Sequence, residues 1–368
     1  MLPGIELALD GDFRENLSGV PASPGVLLIE FEQVNRYAAR TANLRRRFSR
    51  LLGDERAGGA ELRAQARGAF YQPTGSAFES SLRLYELARE VWPDAYRKRL
   101  HLRPAPFVKA HLNNRFPRTS VTTRLGGSSA LYFGPFPTRI AAERFEEGFL
   151  DQFLIRRCVE NLKPELDHPG CIYGEMNMCL RPCQQVCSDE EYRAESGRAV
   201  AFLASRGVSL VDELEGKRNS ASDALEFEEA AGLHQRLDKL RELLSSMDEL
   251  AHDLDALHGA VVQRSADPSE VVLWPLYRGL FQDAARVSIV WEQEKPGSLD
   301  RRVREALDAV DFKSGRPADQ ADHLALLRRW RMSSYRRGEL VVFDSLERIP
   351  YRRLVNAVSR VAQGKERR

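Results

Sequence analysis

The chain has 368 residues, of which 43% are hydrophobic, so it is long enough for several globular units with apolar cores. Its 55 basic and 53 acidic side chains leave a net charge of +2, which excludes a protein that binds polyanions through overall charge. No apolar run reaches 18 residues, and the N-terminus lacks the basic and apolar regions of a signal peptide. We therefore expect a cytoplasmic protein without a membrane-spanning helix.

The first hundred residues predict two strands followed by two helices. The apolar run Gly25–Glu32 predicts a buried strand, and a turn at Gln33–Asn35 leads into a second strand, RYAAR. Asn43 is a suitable N-cap for the helix LRRRFSRLL, whose leucines and phenylalanine share one face. A further helix, SLRLYELAREVW, ends at Pro93.

The opposite face of the first helix is rich in arginine and is a candidate phosphate-binding surface. Guanidinium groups bind phosphate bidentately, although an exposed arginine face can equally be solvated without any ligand. The residues assigned to DNA contact are Arg45, Arg46, Arg47 and Arg50 of this helix and Arg40 of the strand before it.

All five cysteines lie in the thirty residues from Cys158 to Cys187, separated by twelve, seven, three and three residues. Prolines and glycines interrupt this segment, which predicts a loop that can wrap several sulfurs around one centre. In a cytoplasmic protein such a cluster favours metal binding over disulfides. Four thiolates suit a [4Fe–4S] cluster or tetrahedral zinc, the spacing does not decide between them, and a segment without metal is a third possibility.

The stretch from 201 to 250 is the most regular part of the sequence. Apolar residues recur at helical spacing before Leu225 and, in a different phase, after Phe227, which predicts two helices folded as a hairpin. Each helix alone is marginal, so its apolar face must pack within the protein or on a partner.

Beyond this stretch we expect strands at Gly259–Ser265 and around a turn at Arg278–Gly279. Two helices follow, one through LALLRRWRMSSYRRGELVVF and one in YRRLVNAVSRVAQ. The arginines around Trp330 and Tyr335 suit nucleic acid, or are solvated around a buried tryptophan.

Several of these segments resemble the UvrC excinuclease subunit and its short relative Cho. The strand GVLLIEFE and the segment RYAARTANLRRRF are similar to the start of the family's GIY-YIG nuclease domain. Three motifs that precede the family's cysteines resemble the segments Phe116–Arg118, Val121–Arg124 and Tyr132–Pro137. The family's UVR motif resembles the segment LEFEEAAGLHQRLDKL.

The resemblance implies a multidomain α+β protein. We expect a degenerate GIY-YIG-like domain over residues 1–103 and a cysteine-cluster middle domain over 104–200. A UVR helical hairpin over 201–250 and a small C-terminal α/β domain over 251–368, at most a truncated ribonuclease-H-like part, complete the chain.

The resemblance also implies a nuclease site that is largely lost. The first motif tyrosine falls on Leu27, the motif glycine on Ala39 and the metal-binding glutamate on Leu84, whereas Tyr37 and Arg47 are retained. Glu86 is two positions farther along the helix, about 200° around its axis, and is not expected to reach the same metal. Mg²⁺ or Mn²⁺ is expected only if the nuclease site is active.

By the same resemblance the ligands of an iron–sulfur centre are Cys158, Cys171, Cys179 and Cys183, with Cys187 left as a free side chain. The resemblance assigns binding of a UvrB-type partner to one apolar set on the hairpin, namely Leu225, Phe227, Ala230, Ala231, Leu233 and Leu237.

Together these features predict a nucleotide excision repair protein that binds damaged duplex DNA and a UvrB-type partner without nuclease activity. One alternative is a divergent Cho-like endonuclease making the 3′ incision through a displaced carboxylate such as Glu79 or Glu86. Another is an iron–sulfur protein whose cluster controls DNA affinity.

Overall fold

The computed structural model describes residues 4–32, 36–53, 58–126, 130–290 and 298–366. The chain is a mixed α/β protein, and the strands within these ranges form three antiparallel sheets. No helix in the described ranges is both long enough and apolar enough to cross a membrane. The turn predicted at Gln33–Asn35 lies outside the described residues.

The N-terminal unit is built on a four-stranded sheet in the order β1-β4-β2-β3. Leu27 and Ile29 project from one face and pack with Leu44 and Phe48, because alternate side chains of a strand point to opposite faces. The elements of this unit are β1 Ile5–Leu7, α1 Phe13–Ser18, β2 Gly25–Phe31, β3 Arg36–Thr41, α2 Leu44–Phe48, α3 Gly59–Gln65 and β4 Ala66–Pro73.

The predicted helix LRRRFSRLL begins where expected but is only partly α-helical. The Asn43 side chain accepts a hydrogen bond from the amide of Arg46, as an N-cap residue does. After Phe48 the chain widens into a π-helical turn at Ser49–Gly53.

Helix α4 (Ala77–Val91) joins the N-terminal sheet to the C-terminal unit, and the short α5 (Tyr96–Arg99) follows it. On one side, Leu87 and Val91 line a cavity with Val26 and Leu28 of β2. This is the sheet face opposite Leu27, so α4 and α2 lie on different faces of the sheet.

The other side of α4 is buried in the C-terminal unit. Phe78 packs edge-on against Phe281, with ring centroids 5.2 Å apart, and lies in one cluster with Trp274 and Trp330. The nearby carboxylate of Asp322, only 3% exposed, accepts hydrogen bonds from one residue of α4 and two residues of α5. These donors are Tyr85 at 3.3 Å, Tyr96 at 2.7 Å and Arg97 at 2.9 Å. Burial and polar contacts therefore both fix α4 against the C-terminal unit.

The middle unit has a second sheet, ordered β6-β5-β7-β8, covered by helices. Its last strand, β8, follows the helical hairpin in the sequence and pairs with β7, which precedes it. The hairpin is therefore an insertion between two paired strands of one sheet. The elements are β5 Phe107–His111, β6 Thr119–Thr122, β7 Ala130–Gly134, α6 Arg139–Leu150, α7 Ile172–Glu175, α8 Asp189–Ala204, α9 Val208–Asp223, α10 Phe227–Ser245 and β8 His252–Asp253.

The two hairpin helices, α9 and α10, share their core with the middle unit. Leu214 of α9 and Leu237 and Leu240 of α10 are buried with Phe149 and Phe202. The boundary expected after residue 200 falls inside α8, and both sides of it contribute to this core. The base of the hairpin is therefore held rigidly by the middle unit.

The C-terminal unit surrounds a third sheet, in which β9 lies between β10 and β13 and β10 also pairs with β11 and β12. The expected helix through residues 324–343 is wrong in its second half: α12 ends at Arg331, and Glu339–Phe343 is a strand. Gly338 separates the two with φ +88°, and its hydrogen leaves room for Val262 and Gln263. The elements are β9 His258–Arg264, β10 Glu270–Tyr277, β11 Leu280–Phe281, β12 Ala285–Ser288, α11 Leu299–Asp308, α12 Pro317–Arg331, β13 Glu339–Phe343 and α13 Tyr351–Gln363.

Candidate functional site

Four of the five cysteines line one small cavity in the middle unit. Cys179 and Cys183 are buried, Cys158 is half-buried and Cys171 is exposed at the rim. Cys187 is not among the residues that line this cavity and instead packs against the core of the middle unit. The structure therefore separates the four cysteines that the sequence assigned to metal from the fifth.

The loop reaches this arrangement through left-handed backbone at three non-glycine residues. Asn177, Arg181 and Gln185 all have φ of 54°, a conformation that costs side-chain-bearing residues energy. Arg181 lies between Cys179 and Cys183, and the 3₁₀ turn at Pro182–Gln184 follows it. These reversals bring thiols that are four residues apart to the same cavity.

Two arginines donate hydrogen bonds to the sulfurs of this cavity, one from its side chain and one from its backbone amide. The guanidinium of Arg156 is nearly buried; its Nη1 lies 3.7 Å from Cys158 Sγ, and its other hydrogen bonds go to the carbonyls of Phe116 and Glu160. The amide of Arg181 donates to Cys179 Sγ at 3.4 Å. N–H donors and positive charge favour the thiolate form of cysteine, which is the form that binds metals.

Burial acts against ionisation of the same thiols. It raises the pKa of Cys179 to about 11 and also raises the pKa of Cys158, while the Arg181 amide and Arg156 respectively oppose these changes. Without a cation in the cavity both thiols are therefore protonated near neutral pH. Among the described side chains, no group of three or more cysteines, histidines or carboxylates is drawn close enough to form a complete metal-binding set. The donor set still suits a thiophilic centre, because the described residues that line this cavity include four thiols and no competing carboxylate.

Tyr37 and Arg47, the two residues that the resemblance assigns to a nuclease site, contact each other. The Arg47 guanidinium donates a hydrogen bond to the Tyr37 hydroxyl and lies over its ring, 5.8 Å from the centroid. Tyr37 pairs across the strands with Ile29, and Ala39 pairs with the fully buried Leu27. The tyrosine of this pair therefore lies on a strand whose neighbouring strand contributes the apolar, buried residues Leu27 and Ile29.

Leu84, Glu79 and Glu86 are the α4 residues that bear on the expected loss of a metal-binding glutamate. Leu84 is half-buried on α4 and contributes only hydrocarbon. Glu79 is 4% exposed; its carboxylate accepts the amide of Gly75 at 2.8 Å, and burial raises its pKa. Glu86 is exposed and pairs with Arg83 at 2.8 Å. Both glutamates are engaged by their own helix and the turn before it.

The five arginines assigned to DNA do not form one surface. Arg45 is tied to the carbonyls of Val20 and Ser18, and Arg47 is committed to Tyr37. Arg46 and Arg50 are exposed on α2 and the turn after it. Arg40 lies apart from them, in a cavity between the N-terminal and C-terminal units.

The tip of the hairpin, defined here as Leu225–Phe227, presents two large apolar side chains to solvent. Leu225 is 70% exposed and Phe227 is 65% exposed. Of the other residues assigned to the partner, Ala231 is exposed, whereas Ala230 and Leu233 are half-buried. Leu237 is fully buried in the core and cannot contact a partner while this packing persists.

Two features of these sites were not expected from the sequence. One is Arg156, whose role beside Cys158 depends on a hydrogen bond to Phe116, forty residues earlier in the chain. The other is the meeting of Arg40 with the arginines near Trp330, which are nearly 300 residues away. The arginines themselves are visible in the sequence in both cases. The contacts between distant segments, which bring these arginines into the sites, could not be predicted from it.

Comparison with known proteins identifies the middle unit. Residues 105–202 match the family model of the UvrC/Cho excinuclease middle domain, a range that contains all five cysteines. The chain is UvrC-like.

Relatives extend the match beyond this domain. A UvrABC system protein C from Methanothermobacter thermautotrophicus is 30% identical over 179 residues, which cover 47% of this chain and 29% of that protein. Proteins of the same name from Anaeromyxobacter sp. and Methanococcoides burtonii are 28% and 25% identical over 78% and 79% of the chain, and over 41% and 48% of their own length. The UvrC-like chain thus spans less than half of each of these relatives. No solved structure matches it significantly.

Proposed function

We propose that this UvrC-like chain is a nucleotide excision repair protein that binds DNA and a UvrB-type partner without cutting DNA. Its middle unit supplies a rigid base, its hairpin supplies the partner surface, and its N-terminal unit has lost the metal ligand that cleavage requires.

The exposed hairpin tip carries the proposal. A helical hairpin that served only the fold would bury its large apolar residues, as this one does with Leu237 and Leu240 at its base. Leu225 and Phe227 instead face solvent, and the exposed acidic residues Glu226, Glu228 and Glu229 surround them. An apolar centre with a charged rim is the usual composition of a protein interface. The occupant proposed is the helical hairpin of a UvrB-type protein with an apolar surface and basic rim.

The absence of cleavage is proposed from the chemistry at Leu84. Hydrolysis of a phosphodiester by this type of site needs a divalent cation near the phosphate and a group that activates water. A leucine side chain provides neither an oxygen ligand nor a charge. Tyr37 and Arg47 can still hold a phosphate by hydrogen bonding and charge, which supports binding without hydrolysis.

The four-cysteine cavity is proposed to hold a [4Fe–4S] cluster, with zinc as the second candidate. Cys158, Cys171, Cys179 and Cys183 are the donors, and Arg156 and the Arg181 amide offset the negative charge of their thiolates. The proposed role is structural, because ligation free energy in a loop with little core of its own becomes folding free energy.

Calorimetric titration of the full chain with a purified UvrB-type protein tests the proposal. A complex of one chain with one partner is expected, with a negative heat-capacity change because apolar surface is buried. If the two proteins do not associate by calorimetry or by size-exclusion chromatography, the partner assignment is wrong.

A second candidate function is supported by the retained Tyr37–Arg47 contact. It is a Cho-like endonuclease that makes the 3′ incision at damaged DNA with Mg²⁺ or Mn²⁺ and a carboxylate displaced along α4. Glu79→Gln and Glu86→Gln distinguish the two functions, because only an active nuclease can lose incision through either substitution.

A further inference from the structure

A cavity of about 290 Å³ lies between the N-terminal and C-terminal units. Most of its lining comes from β3, the start of α4, the end of β9, and the end of α12 with the turn that follows. Pro24 and Glu366 complete it. The units come into backbone contact at its floor. A Cβ at Gly75 would lie 2.2 Å from the carbonyl carbon of Ser265, so only glycine permits this approach.

Positive charge dominates the cavity. Its lining includes five arginines, and Glu366 is the only acidic residue among the described residues that line it. Glu366 lies 3.5 Å from one of these arginines. The five are Arg40, Arg264, Arg329, Arg336 and Arg337.

Arg40, Arg336 and Arg337 form no ion pair with any carboxylate in the described part of the chain. Arg329 is anchored by hydrogen bonds to the carbonyls of Leu100 and His101. Burial lowers the pKa of Arg329, and the positive charges of Arg40 and Arg103 lower it further, so these cations lie close enough to repel one another. An anion would relieve this repulsion.

Backbone donors and an aromatic surface accompany the charge. The first turn of the fifteen-residue α4 opens on the cavity at Ser76, Ala77 and Phe78, where helix amides have no intrahelical acceptor. Tyr335 stands at the mouth with 91% of its surface exposed. The Arg336 guanidinium lies over the Trp330 ring, 5.5 Å from its centroid, which holds that arginine at the cavity wall.

The turn that presents these groups is fixed by the core. The carbonyl of Arg337 accepts hydrogen bonds from Trp330 Nε1 at 3.1 Å and from Gln263 Nε2 at 2.9 Å. The exposed ring of Tyr335 is therefore carried by an anchored turn, and its exposure is a feature of the fold.

We propose that this interdomain cavity binds single-stranded nucleic acid, with a phosphate of one nucleotide held by Arg40, Arg336 and Arg337 and its base stacked on Tyr335. Proteins that bind single-stranded nucleic acid combine arginines, which contact phosphates, with exposed aromatic rings, on which the bases stack. Bases of an intact duplex are stacked inside the helix and cannot reach Tyr335. The proposal deepens the proposed DNA binding by naming the strand and the residues, and it can fail while partner and duplex binding hold.

Fluorescence anisotropy with a labelled oligo-dT strand and a labelled duplex of equal length tests the assignment. For Tyr335→Ala we expect about a tenfold weaker affinity for the strand, from the loss of one stacked base. Tyr335→Phe keeps the stacking ring and should retain wild-type affinity, and the duplex affinity should be unchanged in both variants. Tyr335 is exposed, so neither substitution threatens folding.

The salt dependence of strand binding tests the phosphate contact. Arg337→Ala should reduce the slope of log affinity against log salt by about 0.7, the value for one phosphate of a single strand. Arg352→Ala, which removes an exposed arginine of α13 away from the cavity, is the matched control and should leave the slope unchanged.

Three results would overturn the assignment. The first is equal strand affinity for Tyr335→Ala and the wild type. The second is displacement of the strand by an equimolar amount of dTMP, which would make the cavity a site for free nucleotides. The third is the absence of strand binding by a chain that still binds the duplex and the UvrB-type partner. This result would refute the assignment of the cavity to single-stranded nucleic acid and leave the proposed function unaffected.

Discussion

Replacement of Phe227 by alanine should separate partner binding from folding. Phe227 is 65% exposed in the free chain, so most of its ring is available to an interface. An aromatic side chain buries about 200 Å² in full, so covering the exposed part removes about 130 Å² from water. At about 25 cal/mol per Å² this corresponds to about 3 kcal/mol. The Kd for the UvrB-type partner should therefore rise about a hundredfold.

The same substitution should leave the free energy of unfolding almost unchanged, because the side chain makes few contacts in the free chain and alanine favours the helix. Leu237→Ala provides the contrast, since a leucine with no exposed surface costs about 2–5 kcal/mol when truncated. Val208→Ala, at an exposed apolar residue at the base of the hairpin, controls for loss of surface hydrocarbon. Calorimetry gives the Kd and urea unfolding gives the stability. If Phe227→Ala binds the partner as tightly as the wild type does, the hairpin tip is not the partner surface.

Three further substitutions test other parts of the structure. Cys183→Ser should lose bound iron or zinc in elemental analysis and lower the Tm, whereas Cys187→Ser, outside the cavity, should retain both; equal metal content would contradict the assignment. His323→Gln concerns a ring whose pKa is lowered to about 4, mainly by burial, and whose Nδ1 accepts the Phe281 amide. Since the unfolded ring has a pKa near 6.5, its stabilising contribution is complete above pH 6.5 and is lost as the pH falls toward 4, by about 3 kcal/mol. Urea unfolding between pH 7 and pH 4.5 should therefore show a weaker pH dependence in His323→Gln, and an identical dependence would show that another group titrates. Asp322→Asn should lower the free energy of unfolding by about 2 kcal/mol, because hydrogen bonds from its arginine and tyrosine partners lose a charged acceptor; unchanged urea unfolding would contradict this.

Local sequence patterns predicted those strands and helices whose conformation depends mainly on their own residues. The strand at Gly25–Phe31, the N-cap at Asn43 and the two hairpin helices all follow from apolar periodicity and turn residues. The four cysteines that the family resemblance assigned to a metal centre line one cavity, and Cys187 is not part of its lining; their role as ligands stays a prediction.

Tertiary contacts decided what the local patterns could not. The segment before Phe343 has enough leucine and arginine for a helix, but pairing with β9 makes Glu339–Phe343 a strand. The leucine spacing of α10 does not reveal that Leu237 is core while Phe227 is exposed, because that depends on where the middle unit covers the hairpin. The interdomain cavity was beyond local reasoning for the same reason, since its arginines meet only when α4 is packed in the C-terminal unit.

Incision of damaged duplex DNA, measured with the UvrB-type partner and Mg²⁺ or Mn²⁺, tests the central claim most directly. The proposed function places Leu84 where cleavage needs a metal-binding carboxylate, so the chain should bind the DNA–partner complex and leave both strands intact. Metal-dependent incision by the wild type that disappears in Tyr37→Phe or Arg47→Ala would contradict the claim and show that the N-terminal unit is an active nuclease.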